Sequence, residues 1–473
     1  MQPSQFNVRV PLPDRDEVFL MNTFTDAQLI VSREVVTLLD SLDAPSGAAR
    51  DFSEIERGAL DTLATHGFVV SDRASERAAL DRFFHDFRED TDHLKVTVLT
   101  TMQCNFACDY CIQGDHGDYN KHATKMSMTE AARVADWIEA RLDTLQPSRF
   151  TLMFFGGEPL LNLPVMYHLA ERLWQATQAR SIEQSIIVIT NGLLLTREVV
   201  DRLKPYGLEG VKITLDGDRD AHDRMRPLRG GQGTFDRIIR NIREIAGQCR
   251  IGIGGNFDAD TVDTYPALLD FLREQDFADQ LSRINFKPVI RAPQPTPPAQ
   301  PKGLIKLTPV DADNKPLGGT CMTAAGSGAK LGGTICDSCQ FADEKMTFLR
   351  EETRKRGFQT TDGVHMGPCE LHQRHAYTIG PEGSLYACPG FTGDPAQSVG
   401  HIDNRQEPHR EAAAARFERL APWRACGDCS YIPVCGGGCS VASHTEGGDM
   451  TLPSCHKTSF EAGVVTMAQQ AAA

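Results

Sequence analysis

Six apolar, β-rich runs separated by helical stretches constrain this 473-residue chain more than any other feature. The runs are VTVLTT (96–101), TLMFFGG (151–157), SIIVITNG (185–192), GVKITLDG (210–217), IGIGGNF (251–257) and INFKPVI (284–290). Between them, apolar residues recur at helical spacing over Thr129–Leu142, Pro164–Ala179, Arg197–Leu203, Thr234–Ile245 and Tyr265–Glu274. Near-continuous apolar strands alternating with helices predict parallel βαβ units. Six such units suit a partial or complete α/β barrel or a doubly wound sheet, and these folds place their active sites just past the strand C-termini. The polar motifs of this chain sit at those positions.

The flanks read differently. Over residues 1–93, the β-like runs FNVRV, EVFLMN and AQLIVS precede two amphipathic stretches, Ser32–Leu42 and Phe52–His66, and GFVVS closes as a strand. This predicts a small N-terminal α+β domain, winged-helix-like in order, followed by a basic linker helix over Glu76–Asp90. A barrel over 94–290 then gives way at 291–368 to a linker or insertion, which opens on the Pro-rich RAPQPTPPAQPKG and holds one helix near Ala342–Arg356. From Cys369 onward (369–473) the chain is dense in Cys, Gly and Pro with little periodicity, as expected of a small domain held by metal centres.

A net charge of −14 opposes wrapping of nucleic acid or anionic membrane. No apolar run approaches the ~20 residues of a membrane span, and the first residues resemble no export signal, so the expected address is the cytoplasm. Fourteen cysteines in that compartment predict metal or catalytic chemistry instead of disulfides. Cys249 stands alone and reads as a buried structural thiol. The others fall in Cys104–Cys111 and from Cys321 to Cys455.

Cys104, Cys108 and Cys111 form a CxxxCxxC triplet directly after the first barrel run. Three thiolates from one loop can hold three irons of a cubane and leave the fourth open; a zinc site completed by His116 or His122 answers to the same spacing. Gly156-Gly157-Glu158-Pro159 ends the second run, where glycines permit close backbone approach and the carbonyls with Glu158 could bind an ammonium. Thr190-Asn191-Gly192 offers polar groups to a ribose or carboxylate, or simply turns the chain. Asp216 ends the fourth run, and Arg224 and Arg226 follow as candidate carboxylate partners or solvated charges.

The triplet after strand one with the GGEP turn after strand two resembles the radical S-adenosylmethionine (SAM) superfamily. The resemblance implies a partial (β/α)6 TIM-like barrel, in which a [4Fe-4S] cluster on Cys104, Cys108 and Cys111 binds SAM and yields a 5′-deoxyadenosyl radical. It places Tyr110 near adenine, an aromatic face suited to stacking on a base, and Gly156, Gly157, Glu158, Pro159, Thr190, Asn191 and Asp216 around the cofactor. The spacing Cys369-x13-Gly383-x4-Cys388, then Cys426-x2-Cys429-x5-Cys435-x3-Cys439 and Cys455, resembles the SPASM extension of peptide-modifying radical SAM enzymes. That implies two auxiliary [4Fe-4S] clusters, three in all, with Cys369, Cys388 and Cys439 on the first and Cys426, Cys429, Cys435 and Cys455 on the second. Zinc ribbons built on the CxxC pair are the competing account of Cys426 and Cys429. The usual fourth Cys shortly before Cys369 is absent; Cys339, Cys336 or Cys321 could replace it, or the iron stays open.

The N-terminal arrangement resembles the leader-recognition domain of ribosomal-peptide maturases, whose sheet edge can take an extended peptide as an added strand. The expected activity is oxidative modification of a precursor peptide, forming a thioether or a carbon-carbon crosslink, with a reduced flavodoxin or ferredoxin as electron donor. Alternatives are formylglycine formation, for which Pro389 stands where that pattern expects an Asp after the second cysteine, and a small-molecule radical SAM dehydrogenase. His365, His372 and His375 flank Cys369, but no general base is assigned among them.

Overall fold

The computed structural model describes the chain except residues 13–14, 43–50, 112–122, 291–336, 362, 366 and 473, and describes 337–340 and 446–447 by backbone alone. Close to the N-terminus, β1 (Gln2–Pro3) precedes three strands, β2 (Asn7–Leu12), β3 (Glu17–Asn22) and β4 (Gln28–Ser32), which form an antiparallel sheet in that order. Alternation along β3 sends Phe19 and Met21 to one face and Leu20 to the other. The Leu20 face is covered by α1 (Arg33–Ser41) and α2 (Glu54–Thr65) through Leu38, Leu39, Leu60 and Leu63. α2 starts where Ser53 and Glu56 form a capping box, each side chain accepting from the other's backbone N–H.

The closing strand of this domain, β5 (Val69–Val70), pairs with β1 and not with the three-stranded sheet. The next helix, α3 (Arg73–Glu89), begins at an Asp72 cap, earlier than the expected Glu76. It is a packing element and not a linker. Its Leu80 and Phe84 are buried with Phe6, Trp423 and Ile432, and the Phe84 and Trp423 rings stack with centroids 4.0 Å apart and planes 11° apart.

The barrel strands are β6 (His93–Leu99), β7 (Arg149–Phe155), β8 (Glu183–Thr190), β9 (Leu208–Thr214), β10 (Arg250–Phe257) and β11 (Leu281–Pro288). They pair in parallel in chain order. Helices α4 (Met128–Leu145), α5 (Leu163–Gln178), α6 (Arg197–Leu203), α7 (Phe235–Ile245) and α8 (Tyr265–Arg273) separate them. Side-chain alternation sorts each strand: Phe150, Leu152 and Phe154 of β7 are buried toward the helices, while Thr151, Met153 and Phe155 lie on the half-buried inner face. Along α7, Phe235, Ile238, Ile239, Ile242 and Ile245 form the buried stripe.

The sheet is wider than six strands. β12 (Ala376–Ile379) pairs in parallel with β6, and β13 (Ser384–Tyr386) and β14 (Gly400–His401) continue it antiparallel, giving nine strands. These strands are too short for a two-residue period to stand out in sequence, and by pairing with β6 they remove an open edge. Within the linker region, 291–336 lies outside the described residues; α9 (Asp337–Lys355) begins before the expected Ala342. The last helix, α10 (Lys457–Ala472), returns to the N-terminal sheet, where Val464 and Ala468 bury Leu12, Phe19 and Met21. Among the described residues no helix is long and apolar enough to cross a membrane.

Phe84→Ala should lower the unfolding free energy by about 3–5 kcal/mol, because a buried ring is lost from a closed interface. Urea unfolding measures this, and limited proteolysis should show faster cleavage between the N-terminal domain and the barrel. Unchanged stability would mean that α3 does not hold the two parts together.

Candidate active site at the barrel strand ends

The loops after β6, β7 and β8 are tied together by backbone bonds and one carboxylate. Gly157 N donates to Thr101 O at 2.9 Å and Glu158 N to Gln103 O at 2.8 Å. A Cβ on Gly157 would lie 2.1 Å from Gln103 O, so only glycine permits this approach. The backbone that the glycine approaches is the chain's own loop leading into Cys104. Glu158 is fully buried; its carboxylate accepts from Leu160 N (3.0 Å), Thr190 Oγ1 (2.8 Å) and Asn191 N (2.8 Å). Burial pushes its pKa up against these three donors. Asn191 Nδ2 donates to Asn105 Oδ1 at 2.8 Å, inside the cysteine loop. The expected positions Gly156, Gly157, Glu158, Pro159, Thr190 and Asn191 are thus brought together, with Glu158, Thr190 and Asn191 already engaged by the chain itself.

Within that loop, Cys104 is half-buried, Cys108 buried and Cys111 exposed. Burial pushes the Cys104 thiol up to about 12 and the Cys108 thiol up to about 11, the latter opposed by Arg226. The three thiols act on one another electrostatically, and loading with metal must displace their protons. This all-sulfur donor set from a single loop fits an iron-sulfur cluster that leaves one iron open. His116 and His122 lie outside the described residues. Among the described residues no three His, Cys, Asp or Glu side chains converge on a single metal-ion position.

Tyr110 reaches across the barrel mouth. Its hydroxyl donates to Asp216 Oδ2 and accepts from Arg226 Nη1 (2.5 Å) and Asn256 Nδ2 (3.2 Å). Asp216, fully buried, also accepts from Asn256 N at 2.7 Å. Of the two arginines considered, Arg226 joins this network and Arg224 is exposed. Sequence reasoning missed Asn256, whose only signal was a polar residue near the end of an apolar strand. It also missed His222. That side chain is fully buried: Nδ1 accepts from Asp216 N at 3.1 Å, Nε2 pairs with Thr234 Oγ1 at 3.1 Å, and Thr234 Oγ1 donates to Arg226 O at 2.9 Å. His222 thus fixes the backbone on both sides of the Asp216–Arg226 pair. Cys249 is half-buried, and burial raises its thiol to about 11.

The C-terminal cysteines fall into two further groups. Cys369, Cys388 and Cys439 act on one another, as do Cys426, Cys429, Cys435 and Cys455. Burial pushes Cys388 and Cys435 up to about 12 and Cys426 up to about 11. A glycine run brings the groups side by side: a Cβ on Gly438 would lie 1.9 Å from Ser454 O, and Ser454 N donates to Gly437 O at 2.9 Å. Cys339 lies in α9 with its side chain outside the described residues, as Cys321 and Cys336 are entirely. His365 pairs with Asp26 at 2.8 Å, buried His372 packs edge-on against Trp423, and His375 pairs with Tyr377 at 3.3 Å. These contacts lie outside the strand-end network.

Glu158→Ala should destabilise the fold by about 3 kcal/mol or more, since three buried donors lose their acceptor; Glu158→Gln, which keeps one acceptor oxygen, should lose less. Chemical denaturation of both variants checks this, and equal losses would refute it. His222 provides a pH test. Burial, then the Arg226 charge, holds its pKa well below 6.5, so the unfolded chain takes up a proton that the folded chain refuses. Its contribution is present above about pH 6.5 and is lost as pH falls, with a slope of up to about 1.4 kcal/mol per pH unit. His222→Gln should flatten the dependence of unfolding free energy on pH between about 6.5 and 5; an unchanged slope would refute it.

Comparison with known proteins follows the same region. Residues 98–265 match the radical SAM superfamily. Fe-coproporphyrin III synthase of Methanosarcina barkeri is 27% identical over 196 residues, covering 41% of this chain and 43% of that protein. GTP 3',8-cyclase of Synechococcus sp. (strain CC9605) is 28% identical over 148 residues, covering 30% of this chain and 40% of that protein. The chain therefore spans less than half the length of these relatives. The solved structure of native anSMEcpe with bound AdoMet superposes with a TM-score of 0.55 at 15% identity, covering 80% of this chain and 98% of that one, a likeness of fold. That superfamily implies a [4Fe-4S] cluster and SAM. Over residues 98–265 the chain carries a radical SAM domain.

Proposed function

We propose that the protein is a SPASM-type radical SAM maturase that abstracts hydrogen from a ribosomally made precursor peptide and completes an oxidative thioether or carbon-carbon crosslink. The observation that carries this reading is the open edge of β4 on a domain packed against the cysteine-rich C-terminal region. Among the described residues β4 pairs only with β3; it holds neither Pro nor Lys, and exposes Ile30 by 37%. Such an edge accepts an extended leader segment as an added strand. The domain is seated by the Phe84–Trp423 stack, by α10, and by Ser430 Oγ donating to Gln5 O at 2.8 Å, next to Cys429.

Bound to the three thiol groups, [4Fe-4S] clusters with SAM would supply the 5′-deoxyadenosyl radical and a path for the electron that an oxidative step releases. Cys104, Cys108 and Cys111 would hold the first cluster, Cys369, Cys388 and Cys439 the second, and Cys426, Cys429, Cys435 and Cys455 the third. Tyr110, the Gly156–Pro159 turn, Thr190, Asn191 and Asp216 would orient SAM, the turn through its backbone. Cys339 is a candidate fourth ligand of the second cluster. A reduced flavodoxin or ferredoxin in the cytoplasm is the proposed donor. The formylglycine-forming alternative asks for an Asp after Cys388, where Pro389 opens a 3-10 turn.

Anaerobic iron and sulfide analysis with Mössbauer spectra, alongside SAM cleavage under dithionite, tests this reading. Wild type should bind about twelve irons per chain; the Cys104→Ala/Cys108→Ala/Cys111→Ala variant should lose about four and all 5′-deoxyadenosine formation. Zinc in place of iron, or iron without SAM cleavage, would overturn it.

A further inference from the structure

The barrel lumen carries two lysines that the strand-end network does not use. Inner-face register runs through Lys212 of β9, opposite Gly252, and Lys287 of β11, opposite Asn256 of β10. Asn256 itself reaches Tyr110 and Asp216, so these positions face the site and not the helices. The helix-facing alternates Val211, Ile213, Ile251 and Ile253 are buried in the main core. Lys212 lies over Gly254: a Cβ there would come within 2.9 Å of its Cε and 3.8 Å of its Nζ. Glycine at 254 thus leaves the space that the lysine arm occupies.

Each lysine keeps part of its surface exposed while the Lys212 ammonium is packed among protein atoms, and among the described residues neither ammonium has an ion-pair partner. Desolvation, and then the like charge of Lys287, lowers the Lys212 pKa. Two like charges that act on one another favour an anion that joins them. Asp216, the nearby acid at the strand ends, is already engaged by Tyr110, Asn256 and Arg226. The adjoining inner face is largely apolar: Ile189 of β8 is the register partner of Lys212, and Ile187 with Met153 and Phe155 of β7 is likewise half-buried. The Lys287 charge also acts on Cys388 of the second cysteine group.

We propose that Lys212 and Lys287 form a carboxylate-binding site in the lumen that holds an acidic group of the substrate, with an apolar neighbour against β7 and β8. The substrate class rests on the peptide reading above, and it narrows that reading to a peptide with an acidic residue or free C-terminus beside the modified position. Lysine is suited to this role because its ammonium, unlike a fixed guanidinium fork, adapts to a carboxylate presented from either direction.

The test uses the full-length reconstituted protein, reductively 13C-dimethylated so that each lysine keeps its charge. Lys212→Met and Lys287→Met variants assign the two resonances. N-acetyl-aspartate methylamide and N-acetyl-alanine, presenting side-chain and terminal carboxylates, are titrated against the neutral N-acetyl-asparagine methylamide, with and without saturating SAM. Saturable shifts of both resonances by a carboxylate, at least roughly tenfold tighter than any response to the neutral isostere and persisting with SAM, are expected. The tighter of the two carboxylates identifies its source. No shift, or an equal response to the neutral compound, overturns the proposal. A response abolished by SAM also overturns it and returns the lysines to the cofactor. SAM cleavage measured on the same preparation separates the two readings: its absence sinks the proposed function, whereas the lysine shifts are read independently of it.

Discussion

One buried carboxylate organises the business end of this barrel. Glu158 follows β7 yet receives hydrogen bonds from Thr190 and Asn191 at the end of β8, while its own backbone N–H reaches Gln103 in the loop after β6. Three strand ends therefore depend on one side chain with no solvent contact. Desolvation works against the charged form, and three donors offset it. The loop that carries Cys104, Cys108 and Cys111 inherits its position from this arrangement, with Gly157 permitting the close approach and Asn191 holding Asn105.

A second set of contacts gives the outer parts their places. The N-terminal sheet is covered on one face by its own helices and on the other by α10, and α3 is stacked on Trp423. Burial of this extent opposes independent motion of the domain. A peptide captured on β4 would therefore start from a fixed point relative to the C-terminal cysteines, which gives a leader-binding edge a mechanical use. The same C-terminal region contributes β12 to the barrel sheet, so the thiol groups are carried on elements continuous with β6.

His222 illustrates how such a site is maintained without contacting a ligand. Kept neutral by burial, it accepts from Asp216 N and through Thr234 reaches Arg226 O, holding in register the two residues whose charges meet beside Tyr110. Protonation would replace an acceptor by a donor facing an N–H, which is the physical reason for its expected pH dependence.

The barrel was readable because burial leaves a strong local imprint. Each inner strand must carry apolar residues toward its helices, so Phe150, Leu152, Phe154 and their counterparts stand out, and polar motifs at the ends of those runs mark the mouth. Cysteine spacing was equally readable, since ligands on one loop lie at fixed intervals in the chain. What remained hidden depended on partners distant in sequence. β12 is only four residues long and exists by pairing with β6; α3 looked like a basic linker until its apolar stripe met Trp423. Lys212 and Lys287 are unremarkable in their strands, and only the pairing of β9 and β11 with β10 sets both on the inner face. The chain by itself determined its elements and its candidate ligands, because periodicity and spacing are local. The tertiary structure alone decided which side chains share a buried carboxylate, which glycine admits a distant stretch of its own backbone and which strand positions share the inner face, because those depend on distances that no local pattern encodes.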